Sequence, residues 1–381
     1  MASHVSPPPE YVSARLILRR FDDDDAEFVL GLHAHPAIAR FIPSAVMSDI
    51  ADAEAWIAET KTMSAHARGR WCVTLHDGTP VGAVIAKPIP YSSEESGDEV
   101  EVGWRFHPDF GGRGFATEAG ELLLSACLAS GLDRVIAVVD ADNLASHAVC
   151  RRIGMTALGE TTRYYDQSLL VFEAGVGNAR SRQVSWVGVD DPARRDSADI
   201  LLDDGLRAFG RQVTEDYAAA WTVDASAGWV TRTVDIAVQG TGWRRTLTLS
   251  RDPDTGWWAG ETHASGQPTT PLAEPGIVDA EALSGALDCD LGLCPLTNTM
   301  PIRRLDVQTD TADEHPLTMA WIDMPSLEVI AGPQIYAGID AEHVRYTSGT
   351  RDFTAELTLD EDGVVIDYPQ LAERTTADYS R

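Results

Sequence analysis

The spacing of apolar residues changes character once along this chain. Up to about residue 176, short apolar or alternating runs trade places with runs whose apolar residues recur every three or four positions, the pattern of strands interleaved with helices. "RLILRRF" (15–21) reads as a strand, and "DDDAEFVLGLHA" after it as a helix with acidic residues in the first turn, where the helix dipole favours them. "ADAEAWIAETKTMSAHA" (51–67) is a second helix. "WCVTL" and "PVGAVIAKPI" flank the Asp77-Gly78 turn of a hairpin. "SSEESGD" (92–98) is a polar loop, "EVEVGWRFH" (99–107) a strand, and "FATEAGELLLSACLAS" a helix stopped by Gly131. "RVIAVVD" (134–140) is a buried strand, and "NLASHAVCRRIG" a helix with Asn or Asp at its cap and Gly154 at its end. "ALGETTRYY" and "SLLVFEA" close the set as strands, which makes a mixed α/β sheet with flanking helices the expected class.

Beyond "VGNARSRQ" (176–183) helical periodicity nearly vanishes. "WVTRTVDIAV", "RRTLTLSRD", "LTMAWID" and "FTAELTLD" alternate with a period of two, and turn clusters such as "QGTG", "DPDTG" and "DEDG" separate them. "DAEALSGAL" (279–287) is the one helix expected there. The chain is therefore expected to be an α+β protein of two domains, 10–176 and 184–375, joined by a linker at 177–183, the second mainly antiparallel β with one wet face.

Charge separates the halves further. The 381 residues carry 30 basic and 59 acidic side chains, a net −29, of which the first 183 residues hold −9 and the remainder −20. Lys61 and Lys87 are the only lysines. Such a field repels nucleic acid and anionic membrane and draws in cations, so amine substrates are favoured over acidic ones. No apolar run approaches the ~20 residues of a membrane span. "MASHVSPPPEYVSARL" lacks the basic and apolar regions of a secretory leader, and the five cysteines read as reduced core residues, so a cytoplasmic protein is expected.

The candidate chemistry begins at "HPDFGGRGFATEAG" (107–120), where three glycines in four positions lead straight into a helix. Bare amides at a helix N-terminus make a cradle for an anion such as a diphosphate, with Arg113 beside it. No Lys-Ser/Thr follows, as a P-loop needs, and the loop comes too late in the chain for a Rossmann fingerprint. "EVEVGWRFHPDFGGRGFATEA", followed by "NLASHAVCRRIGM" and preceded by "SARLILRRFDDDDAEFVLGLHAHPAIARFI", resembles the GNAT acyl-CoA acyltransferases, closest to the branch that acetylates ribosomal-protein N-termini and antibiotics. The resemblance covers roughly residues 10–175 and implies an N-acetyltransferase using acetyl-CoA. It implies that Gly111, Gly112, Arg113, Gly114, Phe115, Ala116 and Thr117 bind the pyrophosphate through backbone amides, and that Asn143 binds the cofactor arm. Gly111 stands where the wider family often has Gln or Arg.

A protonated amine must lose a proton before it attacks a thioester, and a carboxylate on the strand before the loop could take it. Glu99 and Glu101 share a face, being two apart; Glu101 matches a glutamate of many family members and is preferred. Amides near Trp104–Phe106 are expected to hold the thioester oxygen, with Phe106 at the cofactor, and Gly103 to mark a bulge that admits the pantetheine arm. Ser146 matches a family position near the sulfur, and Tyr164, with Tyr165 as its alternative, is a candidate acid for the leaving thiolate. His147 reads as an exposed helix residue rather than a base. Catalysis is expected to be direct attack in a ternary complex, without a covalent intermediate.

In the second half, "DCDLGLCPLTNTMPIRRLDV" (288–307), "WIDMPSLEV", "QIYAGI", "VRYTS" and "FTAELTLDEDGVVIDYPQLAER" together resemble a bacterial family named for glycolipid binding, with a spiral β-roll fold, over roughly 184–375. The family name implies a lipid-like ligand and carries no catalytic residues. Tryptophans 186, 221, 229, 243, 257, 258 and 321 are expected to fill the core rather than line a groove. Arg303 and Arg304, read as adjoining a strand, with Gln334, Tyr336, Tyr346 and Tyr368 are read as a surface ion-pair network rather than a headgroup ring. Cys289 and Cys294 lack a second pair, so no metal is expected. The leading expectation is an acetyl-CoA-dependent N-acetyltransferase, acting on a small-molecule or peptide primary amine, fused to a ligand-binding β-roll; the alternative is a non-enzymatic acyl-CoA or lipid-like ligand sensor.

Overall fold

The computed structural model describes residues 10–63, 67–92, 97–175, 180–225, 228–349 and 353–375. The chain divides into two compact units between Ser181 and Arg182. The expected linker falls partly on 176–179, outside the described residues, and from Arg180 onward the chain is already strand.

The N-terminal unit contains β1 (Tyr11–Val12), β2 (Leu16–Arg20), α1 (Ala26–Ala34), α2 (Pro36–Ala39), α3 (Ile50–Thr62), β3 (Gly69–Leu75), β4 (Pro80–Pro88), β5 (Val100–Phe106), α4 (Phe115–Ala129), β6 (Arg134–Val139), α5 (Leu144–Arg152), β7 (Thr156–Thr161) and β8 (Leu169–Gly175). Its sheet runs β1-β2-β3-β4-β5-β6-β8-β7. Local chemistry sets the element ends. Asp49 and Asn143 accept first-turn amides at the starts of α3 and α5. Gly78, at φ 94, turns the β3–β4 hairpin in the left-handed region. Strand alternation then gives the sheet two faces. On one, Val29, Leu32, Ala53 and Ile57 of α1 and α3 bury Cys72 and Ala83. On the other, α4 lies so close that a Cβ on Gly120 would stand 3.3 Å from the Trp104 ring.

β5 pairs with β4 without interruption from Gly82↔Phe106 to Pro88↔Val100. It shares only Glu101↔Ile136 with β6. The two parallel neighbours therefore part beyond Glu101. The bulge expected at Gly103 is absent from the β4 pairing: Gly103 sits in register opposite Ile85, and the opening lies between strands rather than within one.

The C-terminal unit is one large, mostly antiparallel sheet. Its first arm is β9 (Arg180–Gly188), β10 (Arg195–Leu202), β11 (Leu206–Val213), β12 (Tyr217–Ala225), β13 (Thr233–Gly240), β14 (Trp243–Arg251) and β15 (Trp258–Gly266). After β16 (Gly276–Ile277) and β17 (Asp288–Leu291) comes α6 (Thr299–Leu305), then β18 (Glu314–Ile322), β19 (Glu328–Gly338), β20 (His343–Ser348), β21 (Phe353–Leu359), β22 (Val365–Tyr368) and β23 (Ala372–Arg374). Consecutive strands pair down each arm, β9 and β23 join the arms, and one apolar core contains residues of both.

Several expectations change here. Residues 279–287 form turns, with Asp279 accepting the Glu281 and Ala282 amides and Gly285 at φ 85, a conformation that breaks a helix. The helix of this unit is instead α6, and Arg303 and Arg304 occupy its last turn rather than adjoining a strand. Arg304 pairs with the buried Asp288, and Gln334 and Tyr336 are buried and bonded to Asp290 and Asn298, so these form an interior network, whereas Arg303 is exposed over the Trp229 ring. Trp186, Trp221 and Trp258 are buried in the core, Trp229 and Trp243 pack against it, and Trp257 is exposed. Cys289 and Cys294 are buried core residues. Trp221 lies flat over its cross-strand partner Gly210, where a Cβ would collide with the indole. Gly210→Ala is expected to lower the stability of this unit by about 1–3 kcal/mol through overpacking, measured by urea unfolding followed by tryptophan fluorescence.

Candidate active site

The glycine loop meets the sheet at the end of β5. A short turn of 3-10 helix, Pro108–Phe110, leads through Gly111–Gly114 into α4. Gly112 (φ 74) and Gly114 (φ 78) take left-handed conformations that other residues resist. Gly114 occupies the cap position of α4 and offers no side chain to cap it. The first amide of the helix to find an acceptor is that of Glu118, bonded to the Gly114 carbonyl at 3.1 Å. Among the described residues, the six amides of residues 112–117 have no partner. Gly111–Gly114 are exposed. Glu118 anchors the turn from behind: it accepts from Ser13 Oγ (2.8 Å), the Arg15 amide (2.9 Å) and Arg15 Nε (2.7 Å), while Arg15 Nη1 donates to the Arg113 carbonyl (2.8 Å). The loop is held open, not merely left empty, and Arg113 lies over the Phe110 ring.

Where β5 and β6 part there is a cavity of about 380 Å³. Glu101, Gly103, Trp104 and Arg105 of β5 form one wall, with Ile85 and Lys87 of β4 and Arg70 of β3 beside them. Asp140, Asn143 and Ser146 enter from the β6–α5 side, Trp56 from α3, Phe41–Ala45 from the segment before it, and Tyr165 from the turn after β7.

Glu101 is 5% exposed. Its Oε1 accepts from Lys87 Nζ at 3.0 Å and from the Tyr165 hydroxyl, and Lys87 Nζ also donates to that hydroxyl at 2.9 Å. Burial, then the Glu101 charge, pushes the Tyr165 phenol well above its ordinary value, so it stays protonated and donates. Glu99 has a different setting. Its Oε2 accepts from Tyr91 (2.5 Å) and Tyr164 (2.6 Å) and its Oε1 from Arg134 (2.7 Å). Burial opposes its charge, but the two phenols and Arg134 outweigh that and hold the pKa below the usual carboxylate range, which suits a structural anion and not a base.

Of the residues expected from sequence, Glu101, Asn143 and Ser146 line the same cavity; Asn143 also caps α5 through the Ser146 amide (3.2 Å). Phe106 ends β5 just before the loop. The two tyrosines lie beyond the end of β7, not on a strand as expected. Tyr164 is buried away from the cavity on Glu99, its pKa pushed up to about 12 by burial and by that carboxylate, whereas Tyr165, at φ 58, turns into the cavity. His147 is buried, not exposed as expected, and is bonded to the Asp140 carbonyl. Sequence reasoning missed Lys87, although it is one of two lysines and the cross-strand partner of Glu101. It also missed Arg70, Arg105 and His33, which only the packing of α1 and α3 brings together.

His33 Nδ1 donates to the Ala45 carbonyl at 2.8 Å, which leaves Nε2 to accept from Arg105 Nη1 at 3.0 Å. Burial, then the charge of Arg105, lowers the imidazole pKa to about 4. Arg70, stacked over Trp56, is paired with Glu59 at 2.9 Å.

Comparison with known proteins places the N-terminal unit in a class. Its mixed α/β sheet is that of a GNAT acetyltransferase domain. The chain belongs to the family described as "Putative glycolipid-binding", whose model spans residues 183–374, and carries ahead of it an "Acetyltransferase (GNAT) domain", matched over residues 15–156. Among curated proteins it is 28% identical over 147 residues to the "Uncharacterized N-acetyltransferase YnaD" of Bacillus subtilis, covering 38% of this chain and 81% of the relative. It is 26% identical over 192 residues to the "FsC-acetyl coenzyme A-N(2)-transacetylase" of Aspergillus fumigatus, covering 49% and 81%. A crystal structure of a DUF1089 family protein from Pseudomonas aeruginosa aligns over 47% of this chain and 92% of its own, with 28% identity and a TM-score of 0.37. The chain is an N-acetyltransferase. Among the described residues no helix is long and apolar enough to cross a membrane.

Because the folded His33 pKa lies near 4 and the unfolded value near 6.5, the unfolded chain binds a proton between those limits that the folded chain refuses. Stability is full above pH 6.5 and falls as pH drops toward 4, by about 3 kcal/mol from this group. Ring-nitrogen NMR is expected to show His33 neutral down to about pH 4, and His33→Gln to flatten that part of the stability profile.

Proposed function

We propose that the N-terminal unit transfers the acetyl group of acetyl-CoA to a primary amine by direct attack, with both substrates bound at once. The amides of residues 112–117, with the N-terminal end of α4, bind the diphosphate. The gap between β5 and β6 admits the pantetheine arm, with Asn143 beside it. Amides of Trp104–Phe106 stabilise the oxygen of the thioester as charge develops. Glu101 accepts the amine proton, and Lys87 and Tyr165 hold its carboxylate in place. Ser146 and Tyr165 both face the cavity and are the candidates to hydrogen-bond or protonate the departing thiolate; with its hydroxyl on Glu99, Tyr164 supports the site from behind. The C-terminal unit is proposed to hold a lipid-like ligand, on the strength of its family; its polar cavity of about 30 Å³ near Asp290, Asn298 and Gln334 is about the size of one water.

The observation that carries the reading is the run of six unpartnered amides that follows directly on β5, the strand that gives the cavity its buried carboxylate. Titration of the full chain with CoA by calorimetry is expected to show binding that Gly112→Val weakens, because a β-branched residue resists the φ of 74 there and crowds the amides. With acetyl-CoA and a panel of amines, free CoA release is expected to fall about 10²–10³-fold in Glu101→Gln while CoA binding survives. No CoA binding by folded protein, or full turnover without Glu101, would defeat the proposal.

A further inference from the structure

Three cations line the cavity, and they are not alike. Lys87 is neutralised by Glu101, and Arg70 by Glu59. Arg105 has no carboxylate partner among the described residues. Its one hydrogen-bond partner is the neutral imidazole of His33, and only Nη1 is used. Nη2 and Nε make no hydrogen bond among the described residues, and Arg105 lines the cavity. Burial and then the charge of Arg70 lower the Arg105 pKa to about 10 against the opposing pull of the Glu101 charge, so it is still a cation at neutral pH, with no carboxylate in contact with it.

The position of Arg105 on β5 says what would fill that gap. Glu101, Gly103 and Arg105 alternate onto one face of the strand, opposite Lys87, Ile85 and Ala83 of β4. The loop of bare amides heads α4, which packs on the other face against Trp104. Arg105 is therefore on the acceptor side of the sheet and not on the diphosphate side. On that face, between Glu101 and Arg105, whose positions are about 13 Å apart along the strand, β5 presents only Gly103.

We propose that the acceptor is an amine that also carries a carboxylate: its nitrogen lies at Glu101, its chain passes over Gly103, and its carboxylate takes the open fork of Arg105. A guanidinium edge presents two parallel N–H groups to two carboxylate oxygens, and burial makes such a pair stronger and the unpaired cation costlier. The neutral His33 supports this, since a charged imidazole behind Arg105 would repel it. The identity of the reacting nitrogen rests on the acetyl-transfer reading above; the carboxylate subsite does not.

The test uses the full chain with CoA present and the ω-amino acids from glycine to 6-aminohexanoate, each against its own amide, by calorimetry. The expected result is an acid that binds about tenfold or more tightly than its amide at the best length. Arg105→Met is expected to bring the two within about twofold, and Arg105→Lys, which keeps the charge without the fork, to retain part of the preference. CoA uptake by each variant reports that it is folded. Equal binding of acid and amide at every length overturns the inference, as does a preference that survives in Arg105→Met. Turnover of the same compounds with acetyl-CoA separates the two proposals: acid preference in binding without any acetylation defeats the transfer reading and leaves the subsite standing, whereas acetylation of amide and acid alike does the reverse.

Discussion

β5 and β6 are parallel neighbours that share a single registered pair and then separate. Neither can swing back to close the gap. β5 is tied to β4 over seven consecutive pairs, and β6 to β8 over six. The separation is imposed by pairing on the outer sides, and it leaves the inner edges of two central strands with backbone groups that must find partners elsewhere. A sheet interior is normally where such groups are best satisfied. Here they open into a cavity, and the strand that borders it runs directly into a loop whose own amides are unpaired. Two local deficits of hydrogen bonding therefore lie in sequence, one at the strand edge and one at the helix start. Ser13, Arg15 and Glu118 keep the second from collapsing. In the proposed reaction, both deficits are met by one extended substrate.

The charge balance of the chain and that of its cavity point in opposite directions. The whole chain carries −29, yet the cavity wall has Arg70, Lys87 and Arg105 against Glu101 and Asp140. Exposed charges act through salt with a reach of about 8–10 Å, so the global field influences encounter while the buried groups decide what stays. An amine with a carboxylate reconciles the two: its cationic end suits the acidic surroundings, and its anionic end meets Arg105, a cavity cation with no carboxylate in contact with it among the described residues.

The order of elements was legible because period alone separates helix from strand, and the glycine loop because its composition has few other uses. What escaped depended on contacts between distant segments. Residues 279–287 have apolar spacing compatible with a helix, and Leu283 and Ala286 do enter the core, but the left-handed Gly285 lets them do so from a turn. α6 was hidden because Pro301 reads as a breaker, although a helix tolerates proline in its first turn. Tyr164 and Tyr165 are adjacent and chemically identical; a left-handed turn at Tyr165 and Asp166 sends one to Glu99 and the other to Glu101. Nothing in the local sequence distinguishes them. Arg105 was visible on the same strand face as Glu101, but its lack of a counter-ion depends on His33, seventy-two positions away.

The clamp on Glu101 raises a question of proton flow that the cavity itself answers. The Glu101 carboxylate is held between the Lys87 ammonium and the Tyr165 phenol. In the proposed reaction the acceptor arrives as a second ammonium. It competes with Lys87 for the same oxygen, in a site where water is scarce and two adjacent cations repel each other strongly. Loss of a proton from the acceptor to Glu101 relieves that repulsion, frees the nitrogen lone pair for attack, and leaves Lys87 donating to Tyr165. In that proposed reaction Lys87 would do more than position the base: its positive charge would favour the neutral form of the acceptor amine, and the carboxylate on Arg105 would keep that amine from leaving once its own charge is gone.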